Sequence, residues 1–223
     1  MKKINTYSTL TNNNLNKISR KDKLALILSQ EQIDIINACM LGDLHAERRN
    51  LKGNTRLQFR YSSISKDYVF HLYNIFKDFT GSPPIQLSSF DNRPNRNKIY
   101  ESIKFQSFSL PCFNQFREMF YDSNGTKIIP KNIYELLTPR GLAYWLADDG
   151  YKSTDGIYFC TESFTKIENE LLIEALKNKF NLNCGIHKHT NGYRIYIWSN
   201  SKNLFIDIIK PYLFSSFSYK IQD

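Results

Sequence analysis

Two stretches of the sequence, LAYWLADDG at residues 142–150 and INACMLGD at residues 36–43, decide the fold. Each is an apolar run with helical spacing that leads into an acidic residue, Asp149 or Asp43. An acidic residue is unfavourable at the C-terminal end of a helix, because the negative end of the helix dipole lies there. Because the chain does this twice, a cation is expected at each of the two sites. Taken singly, either acid could instead be an ordinary turn or loop residue.

The two halves of the chain repeat one pattern of elements. Asp43 and Asp149 are separated by 106 residues, and Lys127 and Lys220 by 93 residues. Between each acid and its lysine, the spacing of apolar residues predicts strands, a helix, strands and a further helix. The separation shrinks because the first half has a longer loop near residues 91–98. We therefore predict an α+β fold built from a duplicated module, with a basic flexible arm at residues 1–28 and halves at residues 29–130 and 131–223.

The composition favours a polyanionic partner. The 223 residues include 30 Lys and Arg against 21 Asp and Glu, which gives a formal net charge of +9. An excess of this size favours nucleic acid first and an anionic membrane surface second. No run approaches the roughly 18 apolar residues of a membrane-spanning helix, so no membrane partner is expected. The four cysteines have no metal-site spacing, which favours reduced structural cysteines in an intracellular protein.

Capping signals predict where the two acid-terminated helices begin. Ser29 and Gln32 match a capping box, and Thr138 precedes Pro139 at a predicted first helical position. Small residues recur at four-residue spacing on both helices, which would let two helix backbones approach closely. These small residues are Ala38, Gly42, Ala143 and Ala147. Ordinary core packing and a tight helix pair both explain the spacing, and a pair would bring the two acids together.

Polar and apolar side chains alternate along the predicted strands, so that each strand has one polar face. In residues 55–61, for example, Arg56, Gln58 and Arg60 alternate with Leu57 and Phe59. A polar outer face is usual for an antiparallel sheet, but several faces rich in Arg, Lys, Gln and aromatic residues in a basic chain favour nucleic acid. The predicted nucleic-acid contacts are Arg56, Gln58, Arg60, Gln86, Ser88, Lys104 and Gln106 in the first half, and Tyr158, His187, His189, Arg194, Tyr196 and Trp198 in the second.

Residues 142–150 resemble the LAGLIDADG motif of homing endonucleases, with Leu142, Ala143, Asp149 and Gly150 at the positions of the motif. Residues 36–43 resemble it more loosely, because Leu44 replaces the final glycine. Two copies in one chain resemble the single-chain members of the family, and the resemblance covers roughly residues 30–221. It implies two pseudo-symmetric αββαββα halves that form an antiparallel β saddle, with the two motif helices packed at the interface. It also implies a monomer that cuts both strands of a long DNA site and so initiates intron mobility.

The same resemblance implies a metal site at the end of each motif helix. Two or more Mg²⁺ ions are expected, with Mn²⁺ as a substitute and with Ca²⁺ bound but unable to support cleavage. Carboxylate, carbonyl, water and phosphate oxygens are the ligands that Mg²⁺ prefers. The implied metal ligands are the carboxylates of Asp43 and Asp149 and the backbone carbonyls of Gly42 and Asp148. Lys127 and Lys220 are implied to lie beside the metals and to act in catalysis. Glu162 takes the position of a residue that contacts metal-bound water, and Ser62 is its counterpart in the first half.

A second class of function stays open at this stage. Related proteins act as RNA-binding maturases that help a host intron to fold, and a basic saddle with Tyr and Trp could bind host intron RNA without cleaving anything. A purely structural role, such as that of a basic ribosome-associated protein, would need neither the acids nor the lysines. The abundance of Asn, Lys, Ile, Phe and Tyr is typical of AT-rich genes and suggests an organelle, mitochondrion or chloroplast.

Overall fold

A computed structural model describes residues 19–91, 93 and 98–222 of the chain. Within these ranges the helices are α1 (Arg20–Leu24), α2 (Gln30–Leu41), α3 (Lys66–Phe76), α4 (Asn114–Phe120), α5 (Ile133–Leu136), α6 (Pro139–Asp149), α7 (Lys166–Phe180) and α8 (Ser199–Ile209). The strands are β1 (His45–Glu47), β2 (Arg56–Ser62), β3 (Ile85–Asp91), β4 (Lys98–Gln106), β5 (Gly150–Lys152), β6 (Ile157–Phe159), β7 (Cys184–His189) and β8 (Gly192–Ile197). Short 3-10 turns lie at Ser63–Ser65, Lys77–Phe79, Pro111–Phe113 and Ser215–Lys220.

Each half has the predicted αββαββα order and contributes one four-stranded sheet. The strand order is β1-β2-β4-β3 in the first sheet and β5-β6-β8-β7 in the second, with every neighbouring pair antiparallel. One face of each sheet packs against a helix of its own half: Phe59 of β2, for example, lies 5.3 Å from Phe76 of α3 between ring centroids. The opposite face of each sheet carries the polar side chains. The predicted fold class is confirmed.

The motif helices begin where their capping residues predict. The Ser29 hydroxyl accepts a hydrogen bond from the Gln32 amide at 3.2 Å, and the Gln32 side chain accepts one from the Ser29 amide at 3.0 Å. At the start of α6, the Thr138 hydroxyl accepts from the Gly141 amide at 3.0 Å. These bonds satisfy amides that have no partner within the helix. The sequence therefore fixes the register of both helices from their first turn.

Helices α2 and α6 pack side by side and point the same way. Near their N-terminal ends, Arg140 lies 3.5 Å from Asp34 across the interface. Further along, a β-carbon added to Gly141 would lie 3.7 Å from the Ala38 β-carbon. At the C-terminal ends, a β-carbon added to Gly42 would lie only 2.7 Å from that of Asp148. The tight helix pair is therefore the correct reading of the small residues, and both acids lie at one end of the pair.

The structure describes the last ten residues of the predicted arm, 19–28, and gives them a short helix and contacts with the first half. Arg20–Leu24 forms α1, whose Ser19 cap accepts a hydrogen bond from the Asp22 amide. The Lys23 ammonium lies 3.9 Å from the centre of the Phe108 ring, and Leu28 is buried in the core. These contacts anchor the segment to the first half, whereas residues 1–18 lie outside the described residues. None of the described helices is long and apolar enough to cross a membrane.

Candidate active site and nucleic-acid interface

The two motif acids meet at the paired helix ends. Helix α6 ends at Asp149, and Gly42 caps α2 immediately before Asp43. A β-carbon added to Gly42 would lie 3.1 Å from a carboxylate oxygen of Asp149 and 3.0 Å from one of Asp148. Only a glycine lets the first helix end approach the second this closely. The predicted juxtaposition of the two halves' acids is therefore present.

A partly or fully buried lysine lies at each helix end. Lys127 donates hydrogen bonds to the carbonyls of Gly42 and Leu44 at 2.7 and 2.9 Å. Lys220, of which 8% is exposed, donates to the carbonyls of Leu146 and Ala147 at 2.9 and 2.7 Å. The C-terminal end of a helix carries the negative end of its dipole, so an ammonium that binds carbonyls there is stabilising. The sequence predicted where the lysines lie, but not that they cap the helices.

The acids and lysines of the two halves lie close enough to interact electrostatically. Partial burial and the charge of Asp43 together raise the pKa of Asp149 to about 7, although both lysines oppose the shift. Asp43 is exposed at the surface, but nearby protein atoms remove part of its hydration and raise its pKa. Burial lowers the pKa of Lys127 and Lys220, against the attraction of the acids. Each group thus feels the charges of both halves.

The carboxylate of Asp148 is occupied by the first half. The hydroxyls of Tyr61 and Tyr68 donate to its two oxygens at 3.2 and 3.1 Å. Burial raises the pKa of Asp148 to about 8, with added repulsion from Asp43 and Asp149. This side chain therefore joins the halves. It leaves only the backbone carbonyl of Asp148 for the metal role that the resemblance implied.

The donor set at the helix ends suits a hard divalent cation that is completed by substrate. Among the described residues, no group of three or more His, Cys, Asp and Glu could hold a metal alone. Two carboxylates and nearby carbonyls are nevertheless the oxygen donors that Mg²⁺ uses, with water and phosphate filling the other positions. The Gly42 carbonyl oxygen already accepts a hydrogen bond from the Lys127 ammonium. This bond uses one of the two lone pairs of the oxygen. The residues fit Mg²⁺ as a site that is open toward a phosphate.

The polar face of the first sheet carries most of the predicted contacts. In an antiparallel pair, directly opposite residues share a face, and β2 and β4 pair Gln58 with Gln106 and Arg60 with Lys104. Arg56 lies on this face by alternation and forms an ion pair with Glu47. Five of the seven first-half residues therefore share the face on which the sequence placed them.

Gln86 and Ser88 were placed on the wrong face. In the register of β3 with β4, Gln86 lies opposite Ile103 and Ser88 lies opposite Glu101, on the face away from Lys104. Ile85 and Leu87, opposite Lys104 and Ser102, take their places on the polar face. The alternation of β3 is misleading because this strand extends beyond the core, and Ile85 remains half exposed. Gln86 and Ser88 therefore do not belong to the polar face of the first sheet.

The face of the second sheet that corresponds to the polar face of the first carries mainly Tyr, His and Trp side chains. Tyr158 lies opposite Tyr196, and His187 lies opposite Arg194, so these four share one face. The Tyr158 hydroxyl bonds His187 at 2.8 Å, and the ring of His187 stacks on that of Tyr196 with centroids 4.9 Å apart. Trp198 packs edge-on against Tyr196 at 5.0 Å. The register and this packing place the predicted second-half residues on one face: Tyr158, His187, His189, Arg194, Tyr196 and Trp198.

Glu162 and Ser62 have other partners. Glu162 forms an ion pair with Arg194 and lies 3.5 Å from His189, although its charge still raises the pKa of Asp149. The Ser62 hydroxyl accepts a hydrogen bond from the Ile64 amide at 3.4 Å, at the start of a 3-10 turn. Nothing in these contacts supports a role for Ser62 at a metal.

Sequence reasoning missed two groups of residues. The loop between β1 and β2 carries exposed Arg49 and Lys52, and the charge run Arg48-Arg49 followed by Lys52 was a signal for it. The tyrosines that hold Asp148 gave no signal, because they are 80 and 87 residues away in sequence. The first group extends the basic surface of the first half, and the second fixes one helix end.

A family model described as the LAGLIDADG DNA endonuclease family matches residues 33–205, which spans both helix ends and both sheets. The chain belongs to this family. Its two motifs in one chain fit the single-chain type of LAGLIDADG protein.

Several relatives are similar over most of the chain. The DNA endonuclease I-ChuI of Chlamydomonas applanata is 32% identical, and the match covers 88% of this chain and 96% of that protein. The cytochrome b mRNA maturase bI2 of Saccharomyces cerevisiae is 31% identical over 93% of this chain. The chain spans about half (52%) of the length of that maturase. The LAGLIDADG relatives thus include proteins named for DNA cleavage and proteins named for RNA maturation.

A solved structure resembles the whole fold. The homing endonuclease I-WcaI, bound to its DNA recognition sequence, superposes with a TM-score of 0.84 and 29% identity, covering 93% of this chain and 95% of that one. I-DmoI in complex with DNA and Mn gives a TM-score of 0.50 at 16% identity, which supports the fold alone. The two-sheet architecture of this chain is therefore shared with I-WcaI over nearly the whole length of both proteins.

Proposed function

We propose that the protein is a site-specific endonuclease that cuts both strands of a long DNA site with Mg²⁺. The observation that carries this proposal is the meeting of Asp43 and Asp149 at one pair of helix ends, with a lysine hydrogen-bonded to backbone carbonyls at each end. One acid from each half supplies one centre for each strand. The family match and the DNA-bound I-WcaI structure support DNA as the substrate.

In this proposal, Asp43 and Asp149 hold the metal through their carboxylates, with carbonyls of Gly42 and Asp148 as further oxygen donors. Bound Mg²⁺ supplies an activated water and stabilises negative charge on the scissile phosphate and its leaving oxygen. The ammonium groups of Lys127 and Lys220 add positive charge beside the phosphates. Because burial lowers the pKa of both lysines, each is better suited than a surface lysine to exchange a proton with the attacking water.

The two polar sheet faces bind the DNA in the major groove, which is wide enough for a two-stranded β-ribbon. On the first sheet the contacts are made by Arg56, Gln58, Arg60, Lys104 and Gln106. On the second sheet they are made by the aromatic face around Tyr158 and Trp198. We further propose that the protein acts as a monomer, because one chain already contains both acids. The cytochrome b maturase relatives and the composition support a location in an organelle.

The direct test is cleavage of the intronless junction of the gene that carries this reading frame. The protein should linearise a plasmid with that junction in the presence of Mg²⁺ or Mn²⁺ and leave it intact with EDTA or Ca²⁺. A plasmid with the intron inserted at the junction is the matched control, because insertion separates the two half-sites. Failure to cut the intronless junction in Mg²⁺ would overturn the proposal.

An RNA maturase is the second candidate, because two relatives at 31% and 30% identity are named cytochrome b mRNA maturases. The aromatic face of the second sheet offers rings on which unpaired bases could stack. Tight binding to the structured host intron RNA, without cutting of the intronless junction, would favour this function. Neither the paired acids nor the two lysines would then be needed.

A further inference from the structure

The two halves differ in the connections between their strands. In the first half, residues 48–55 connect β1 to β2, and residues 92–97 connect β3 to β4. In the second half, the corresponding connections are only residues 153–156 and 190–191. Strand β4 has nine residues, whereas its counterpart β8 has six. Strand β4 of the first sheet is therefore three residues longer than its counterpart in the second sheet.

Positive charge is concentrated on the same side. The strands and connections of the first sheet, residues 45–62 and 85–106, contain nine Lys and Arg against three Asp and Glu. The matching segments of the second sheet, residues 150–159 and 184–197, contain three against one. The difference in formal charge is therefore +6 against +2, before any pairing is considered.

The exposed cations of the first half are well placed for DNA. Lys98 lies on the polar face of β4 by alternation from Lys104, in the part of the strand beyond its pairing with β2, and its side chain is exposed. Lys52 is exposed in the β1–β2 connection, and the side chain of Arg49 is 70% exposed there. In the second half, Arg194 is tied to Glu162, and Lys188 lies opposite Tyr193 on the other face.

We propose that the DNA site is bound off-centre, so that the first half covers the longer half-site and supplies most of the electrostatic affinity. This inference rests on the proposed function, since it assumes DNA on the polar faces. Three additional strand residues at about 3.3 Å each extend the contact by about 10 Å. At about 3.4 Å per base pair, this corresponds to about three base pairs on the first-half side.

The first test is a hydroxyl-radical footprint of the full-length Asp43→Asn/Asp149→Asn protein on uncut target DNA. Protection should extend about three base pairs further from the cleavage centre on one flank. The flank that belongs to the first half is identified independently with Gln106→Ala, which should change base preference on that flank alone. Equal protection on both flanks, or longer protection on the flank that Gln106→Ala leaves unchanged, would overturn the inference.

The second test compares the salt dependence of binding in matched lysine variants. Lys52→Ala and Lys98→Ala should each reduce the slope of log affinity against log salt by about one, because each removes one phosphate contact. Lys188→Ala, which removes the same charge from the other face of the second sheet, should leave the slope unchanged. Equal slopes in all three variants would contradict the placement of the charge.

The tests separate this inference from the proposed function because they measure binding alone. A protein that cuts its target but protects equal flanks would refute the off-centre site and leave the nuclease intact. A protein that protects unequal flanks but does not cut in Mg²⁺ would refute the nuclease and leave the off-centre site intact.

Discussion

The ends of α2 and α6 contain the same parts in different surroundings. Each end has an acid and a lysine, but Lys127 caps carbonyls at and beyond the end of α2, whereas Lys220 caps carbonyls inside the last turn of α6. The residue before the acid is Gly42 in the first half and Asp148 in the second. The duplication therefore preserved the charged pair while its neighbours diverged, so the two centres are expected to respond unequally to the same change.

The largest effect is expected from the acids themselves. Asp43→Asn or Asp149→Asn removes a metal-binding charge and should slow cleavage of at least one strand by two or more orders of magnitude, on the order of losses seen when a key electrostatic group is removed. Supercoiled plasmid should then be nicked rather than linearised, while DNA affinity is retained. Comparing the two variants shows whether each acid serves one strand or whether the cluster works as a unit.

The control for the acid variants is Asp155→Asn, which removes an exposed acid from the β5–β6 connection. This variant should linearise plasmid at the normal rate. If Asp43→Asn/Asp149→Asn together still cut both strands, the acids would have no role in catalysis.

A smaller effect is expected from the lysines. Lys127→Met or Lys220→Met should slow single-turnover cleavage by about a hundredfold if the ammonium assists proton transfer. Each variant also removes two hydrogen bonds to backbone carbonyls, which costs about 1 kcal/mol or more in the free energy of unfolding. Because Lys220 is the more buried lysine, its variant should show the larger loss of stability in urea denaturation.

A catalytic role for Lys127 and Lys220 can be distinguished from phosphate binding. If cleavage rates were unchanged while DNA affinity and its salt slope fell, the lysines would be phosphate contacts rather than catalytic groups. Lys188→Met, an exposed lysine remote in sequence from both helix ends, provides the control for loss of charge alone.

The smallest effect is expected in the pH dependence of stability. The pKa of Asp148 is raised to about 8 and that of Asp149 to about 7 in the folded protein, against about 3.9 when unfolded. The folded state thus binds more protons, so its contribution to stability is complete below about pH 4 and declines as pH rises toward 8. Urea midpoints between pH 5 and 8 should fall with pH in the metal-free protein. Asp148→Asn should flatten this decline, and an unchanged slope would contradict the shift.

Local patterns predicted those parts of the molecule that local forces fix. Capping at Ser29 and Thr138 and the alternation of β2 depend on neighbours in sequence, and each was predicted correctly. The face of β3 was wrong because this strand lies largely outside the core, where no burial enforces the alternation and only pairing with β4 sets the register. The contacts of Tyr61 and Tyr68 with Asp148 join distant segments and leave no periodic signal.

The close contact between Gly42 of one helix end and Asp148 of the other limits how the two halves could be exchanged in protein engineering. A homodimer of the second half would set one Asp148 against another where a single added carbon already lies 2.7 Å from the Asp148 β-carbon. A homodimer of the first half would set glycine against glycine and leave Tyr61 and Tyr68 without their acceptor. Chimeras that aim at new DNA targets should therefore transfer Gly42, Asp148 and both tyrosines as one unit, because the halves are complementary rather than interchangeable.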